Sequence, residues 1–89
     1  MAISSEFKVL LSYINTHLEE KQTLSSLYDM FRINKNHIEN LFREFLNTTF
    51  YDYLRNRRYE EATYYLRFTE LDGEQIASRI GLSVNFSNR

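Results

Sequence analysis

Few side chains in this sequence are placed to make or break a covalent bond. His17 and His37 stand alone, outside any metal-ligand motif, and each reads as a surface or capping residue. Cysteine is absent, which removes a thiol nucleophile, a thiolate metal site and a disulfide framework. The two glycines, Gly73 and Gly81, cannot build a glycine-rich phosphate loop, and no nucleophile motif is present. The expectation is therefore a protein with no catalytic residues, no metal and no cofactor. Non-covalent chemistry is better represented. Lys35, Asn36, Glu39, Asn40 and Arg43 share one face of a helical pattern whose opposite face carries Ile38, Leu41, Phe42 and Phe45. Two carboxamides, one carboxylate and two cations offer directional hydrogen bonds and charge. Polarity alone describes no more than a solvated helix face. Tyr51, Tyr53, Tyr59, Tyr64 and Tyr65 form a second group. Adjacent residues cannot share a helix face, so some of these tyrosines must point outward. They are either core residues with wet hydroxyls or a protein-contact surface.

The elements that must position these groups are helical. The chain has 89 residues, no proline and only two glycines, which disfavours the many tight turns of a sandwich or barrel. Apolar residues make up 43% and aromatics 16%, enough large side chains for one small core but not two. Ser4 and Ser5 can cap a first helix with the stripe Phe7, Leu10, Leu11, Ile14 and Leu18, ended by the polar run from Glu19 to Gln22. Thr23 can cap a second, shorter one carrying Leu24, Leu27, Tyr28 and Phe31. Arg32 and Ile33 read as a tight turn, and Asn34 as the cap of the helix holding the polar face above. Asn47 suits the left-handed position that ends it. Thr49 and Asp52 have capping-box spacing and open a long helix with Phe50, Tyr53, Leu54, Arg58, Ala62, Tyr65 and Leu66. Asp72 can cap a fifth helix containing Ile76, Ala77 and Ile80, stopped at Gly81, and Ser83 can cap a sixth. The expected fold class is all-α: two helix–turn–helix units on either side of a long linker helix.

Net charge is −1, which does not advertise a polyanion partner. The average hides a gradient, because residues 32–67 carry seven basic against five acidic side chains. The start of the chain lacks a basic region followed by an apolar run, and no apolar run approaches the ~20 residues needed to span a bilayer. A cytoplasmic location is expected.

In order and spacing, these residues resemble the DNA-binding domain of AraC-type transcription regulators. Leu24-Ser-Ser-Leu27, then Ile38-Glu-Asn-Leu41-Phe42-Arg43, then Phe50-Tyr-Asp-Tyr53-Leu54 with Arg58 and Ala62 follow the first unit and linker helix of that family. Ile76-Ala77-Ser-Arg-Ile80-Gly81-Leu82-Ser83 follows the start of the second unit and is the most specific stretch. The resemblance implies a homeodomain-like arrangement, with a first unit over about 5–47, a linker helix over about 50–67 and a partial second unit over about 72–89. The family's last helix and its signals are missing, so the second unit is expected to be incomplete. That expectation fits a piece of a longer regulator or a short relative. The sequence also departs from the family pattern. Tyr28 stands where a small residue is usual, Arg32 and Asn47 stand for turn glycines, and Gly73 stands for a buried aliphatic residue.

The resemblance also implies a function. The chain would be the sequence-specific DNA-binding portion of a bacterial transcription regulator, an activator by the family's commoner habit. Asn36, Glu39 and Asn40 take base-reading positions of the first unit, with Lys35, His37 and Arg43 beside the phosphates; Ser83, Val84 and Asn85 begin the second reading surface. Asn can bond adenine at two points and Glu can accept from cytosine N4. Arg58 lies among core positions and is expected to bridge helices rather than touch DNA. One reading helix with few phosphate contacts binds near the nonspecific range, so weak binding to double-stranded DNA is expected. The competing reading is an interaction module of the same fold, binding another regulator, a chaperone or RNA polymerase, or pairing with itself.

Overall fold

Phe7, Leu10 and Ile14 recur at three- and four-residue intervals, and in a computed structural model of the chain, which describes residues 4–81, all three are fully buried. They belong to α1 (Ser5–Thr16), whose N-cap Ser4 accepts from the Phe7 amide. There follow α2 (Leu24–Phe31), α3 (Lys35–Leu46), α4 (Phe50–Phe68) and α5 (Gly73–Arg79). The described residues are all-helical.

Side chains from the first three helices and the start of the fourth close one core. Phe7, Phe42 and Phe50 are its largest fully buried members, joined by Leu10, Ile14, Leu27 and Ile38. Phe42 lies at the centre of the aromatic contacts. Its ring is edge-on to Phe7 at 5.0 Å, 5.8 Å from Phe50 and 5.3 Å from Tyr53. Such edge-to-face pairs set the positive ring edge against the negative ring face.

The turns are built as their residues require. Thr23 and Ser26 form a reciprocal capping box at the start of α2, as do Asp72 and Gln75 at the start of α5. At α4 the box is half made. Thr49 accepts from the Asp52 amide, but the Asp52 carboxylate turns to Arg55 Nη2 at 2.9 Å. Arg32 and Asn47 end α2 and α3 in the left-handed conformation, with φ of 59° and 52°. The strain at Arg32 is accompanied by a stacking contact, since its guanidinium lies 5.5 Å over the Tyr28 ring. The two departures at the first turn thus act together. Tyr28 is 39% exposed and gives Arg32 a surface to lie on.

The polar run after α1 holds a side chain that periodicity treats as solvent-facing. Gln22 is buried, and its Nε2 donates to the carbonyls of Ile14 (3.2 Å) and His17 (2.9 Å). Each of these carbonyls at the end of α1 also accepts a backbone amide, Ile14 O from His17 and His17 O from Glu20, so Gln22 adds a second donor to them from beyond the helix. Arg58 ties α4 to the segment after α1 in a similar way. From the middle of α4 it donates through Nε to Leu18 O at 3.2 Å and through Nη2 to Glu20 O at 2.9 Å. Burial pushes its guanidinium below the ordinary arginine range, but the starting value is so high that the charge persists at neutral pH.

The second half of α4 differs from the sequence expectation. Leu66 is 69% exposed, so the apolar positions of the linker helix do not form one continuous buried stripe. Only Phe50 and Leu54 of this helix are buried, because the core of the first three helices reaches just its first turns. Farther along, α5 packs on α4 and buries its own Ile76 and Ala77, together with Ile80 just after it. The expected sixth helix at Ser83 lies outside the described residues.

Candidate nucleic-acid interface

The helix α3 buries Ile38, Leu41 and Phe42, half-buries Phe45, and turns the remaining face to solvent. At 100° per residue, Asn36, Asn40 and Arg43 fall on the line opposite that apolar stripe. All three are exposed, as is Lys35 in the first turn. The twelve residues make a rod about 18 Å long, whose cross-section suits a groove about 12 Å wide. Asn34 fixes where this rod begins. Its Oδ1 accepts from the Asn36 amide at 2.8 Å, satisfying one of the free N–H groups. Replacing Asn34 with alanine is expected to cost about 1 kcal/mol, read as a lower urea midpoint at unchanged slope. An unchanged midpoint would show that the cap is dispensable.

Two of the sequence-derived site residues are held within the fold. The His37 Nε2 meets Glu6 Oε1 of α1 at 2.8 Å, at the edge of the polar face. Glu39 is half-buried, and its Oε1 accepts from the Phe50 amide at 2.9 Å. It therefore serves the first amide of α4, which has no acceptor within the helix. Residue spacing places Glu39 on the polar face, but only the approach of α4 reveals this acceptor role. Ser83, Val84 and Asn85 lie outside the described residues.

Charge is distributed unevenly around α3. Arg55 pairs with Asp52, and Arg57 pairs with Glu60 and Glu61, so two of the four arginines of the linker helix are neutralised locally. Arg57 also donates to Asn15 Oδ1, which accepts from the Tyr53 hydroxyl as well. Among the described residues, Arg32, Lys35 and Arg43 have no carboxylate within ion-pair distance. The uncompensated cations on and beside α3 thus flank two exposed carboxamides. No group of three or more metal-binding side chains assembles among the described residues. No helix among them is long and apolar enough to cross a membrane.

Solved structures share this arrangement of helices. The C-terminal domain of AraT, a response regulator from Geobacillus stearothermophilus, superposes with a TM-score of 0.89 at 24% identity, over 99% of this chain and 74% of that one. The C-terminal domain of the two-component response regulator yesN from Fusobacterium nucleatum gives 0.85 at 26% identity, over 96% and 90%. The fold is that of the AraC-type helix-turn-helix domains. A third structure with the AraC-type fold, the DNA-binding domain of AdpA in complex with a target DNA, gives 0.84 at 17% identity, over 97% and 78%. In sequence, the chain is 27% identical over 88 residues to YfiF of Bacillus subtilis strain 168, an uncharacterized HTH-type transcriptional regulator. The match takes in 99% of this chain but only 27% of the length of that relative. No family model matches the sequence.

Proposed function

We propose that this chain is the sequence-specific DNA-binding portion of a bacterial transcription regulator, with α3 as the helix that enters the major groove. The observation that carries the proposal is the outward ridge of Asn36, Asn40 and Arg43, with Lys35 beside it, on an AraC-type fold. One structure of that fold was solved with its target DNA, and the relative in Bacillus subtilis is named as a transcriptional regulator. In this reading Lys35 and Arg43 neutralise phosphates, His37 lies at the rim, and Ser83, Val84 and Asn85 contribute to a second reading surface. Activation rather than repression, and a cytoplasmic setting, are parts of the same proposal.

Salt dependence tests it. With about three phosphate contacts, affinity for duplex DNA should fall about forty-fold between 50 and 200 mM salt. Replacing Lys35 and Arg43 together with alanine should flatten the slope by about two. Fluorescence anisotropy of a labelled duplex measures both. Binding that ignores salt would instead favour the interaction-module reading. One observation speaks for that second reading: Tyr59, Tyr64, Leu66 and Phe68 of α4 are at least half exposed, an unusual concentration of apolar surface. A contact with another regulator, a chaperone, RNA polymerase or a second copy through this surface would be insensitive to moderate salt.

A further inference from the structure

We infer that the α3 surface discriminates bases through two asparagines, Asn36 and Asn40, and therefore selects A·T pairs, while Glu39 is a positioning residue that takes no part in base reading. The inference rests on the DNA-binding function proposed above.

In the N-terminal turns, from which a groove-bound helix reads base edges, three groups lie on the polar face, and the structure separates them. Asn36 and Asn40 are exposed on the line opposite the core. Glu39 is half-buried, turned toward the linker helix, with its Oε1 2.9 Å from the Phe50 amide. To accept from cytosine N4, this carboxylate would have to approach the anionic duplex. Leaving its present place would strip the first amide of α4 of its acceptor. The bond also spans two helices: Glu39 lies in the middle of α3, and Phe50 is the first residue of α4. It therefore fixes the angle at which the reading helix leaves the linker.

What remains for base reading is a pair of carboxamides. A carboxamide presents one donor and one acceptor side by side, the complement of adenine N7 and N6 in the major groove. Residues four apart on a helix are separated by about 6 Å along its axis. Stacked bases are about 3.4 Å apart along a strand. Two such side chains therefore address adenines one or two steps apart. Arg43 continues the same line one turn further, where a phosphate contact would hold the helix in register.

Selection from a library of randomised duplexes at low salt, followed by affinity measurements, tests this. The wild-type chain should enrich A·T pairs at two positions no more than two steps apart. N36A and N40A should each lose the preference at one position and bind the selected duplex about ten-fold more weakly, with unchanged circular dichroism. Glu39→Gln keeps an oxygen acceptor for the Phe50 amide and removes one negative charge. It should keep the same preferred bases and tighten binding to every duplex by a similar, few-fold factor. A preference for G·C pairs at these positions, or a change of preferred base in E39Q, would overturn the inference and leave DNA binding standing. Failure of the wild-type chain to retain any duplex at low salt would overturn the DNA-binding function, and this inference with it.

Discussion

Gly81→Ala is expected to lower the thermal midpoint by about 10–20 °C. Gly81 has a φ of +82°, a region that costs any residue with a Cβ roughly 1–3 kcal/mol. Space is the second obstacle. An added Cβ would stand 2.4 Å from Leu18 O and 2.9 Å from Arg58 Nη2. The first is a backbone atom and cannot swing aside. The second belongs to the guanidinium that donates to Leu18 O and Glu20 O, so moving it would break the bridge between α4 and the segment after α1. Strain and lost hydrogen bonds together approach 3 kcal/mol, and each kcal/mol moves the midpoint of a domain this size by about 4–8 °C. The control is Gly73→Ala. Gly73 opens α5, and a Cβ there meets nothing within 4 Å. That substitution should leave the midpoint unchanged or raise it, because alanine favours helix more than glycine does. A calorimetric scan in which both variants behave alike would refute this account of the turn.

Phe42→Ala is expected to cost about 3–5 kcal/mol, enough to unfold much of the population of a small domain. The ring is fully buried and touches Phe7 of α1 and Phe50 and Tyr53 of α4. Removing it loses the transfer energy of the side chain. It also leaves a cavity that cannot collapse without moving three helices. Phe42→Leu should cost appreciably less, since most of the volume remains. Tyr64→Ala supplies the contrast: that ring is 53% exposed, and its loss should fall within about 0.5 kcal/mol. Urea unfolding followed by circular dichroism ranks the three. A loss below 1 kcal/mol for Phe42→Ala would mean that this ring does not organise the core.

Both predictions concern positions that differ in how readable they were. Phe42 falls on a helical stripe with Ile38, Leu41 and Phe45, so its burial follows from spacing alone. The glycine at 81 was legible as a turn residue. That its missing side chain makes room for the Leu18 carbonyl and the Arg58 guanidinium was not, because those groups lie far away in sequence. The caps divide in the same manner. Ser4, Thr23, Asn34, Thr49 and Asp72 each cap the helix that begins next to them, a local matter of side-chain oxygen and nearby amide. Gln22 and Glu39 bond to the ends of helices they do not belong to, and no local pattern signals such a partner.

The candidate site follows the same division. Periodicity by itself determined the five helices among the described residues, the apolar stripe of α3 and the polar face opposite it. These depend on contacts three or four residues apart, which a helix repeats along its length. The approach of α4 to α3 and of α1 to His37 was decided only by tertiary structure. That approach draws the Glu39 carboxylate to the Phe50 amide and His37 to Glu6, leaving Asn36, Asn40, Lys35 and Arg43 facing outward. The first amide of a helix has no acceptor within it, and a carboxylate brought beside it makes a charge-assisted hydrogen bond. For that reason a side chain that looks like a reader in the sequence becomes a strut in the fold.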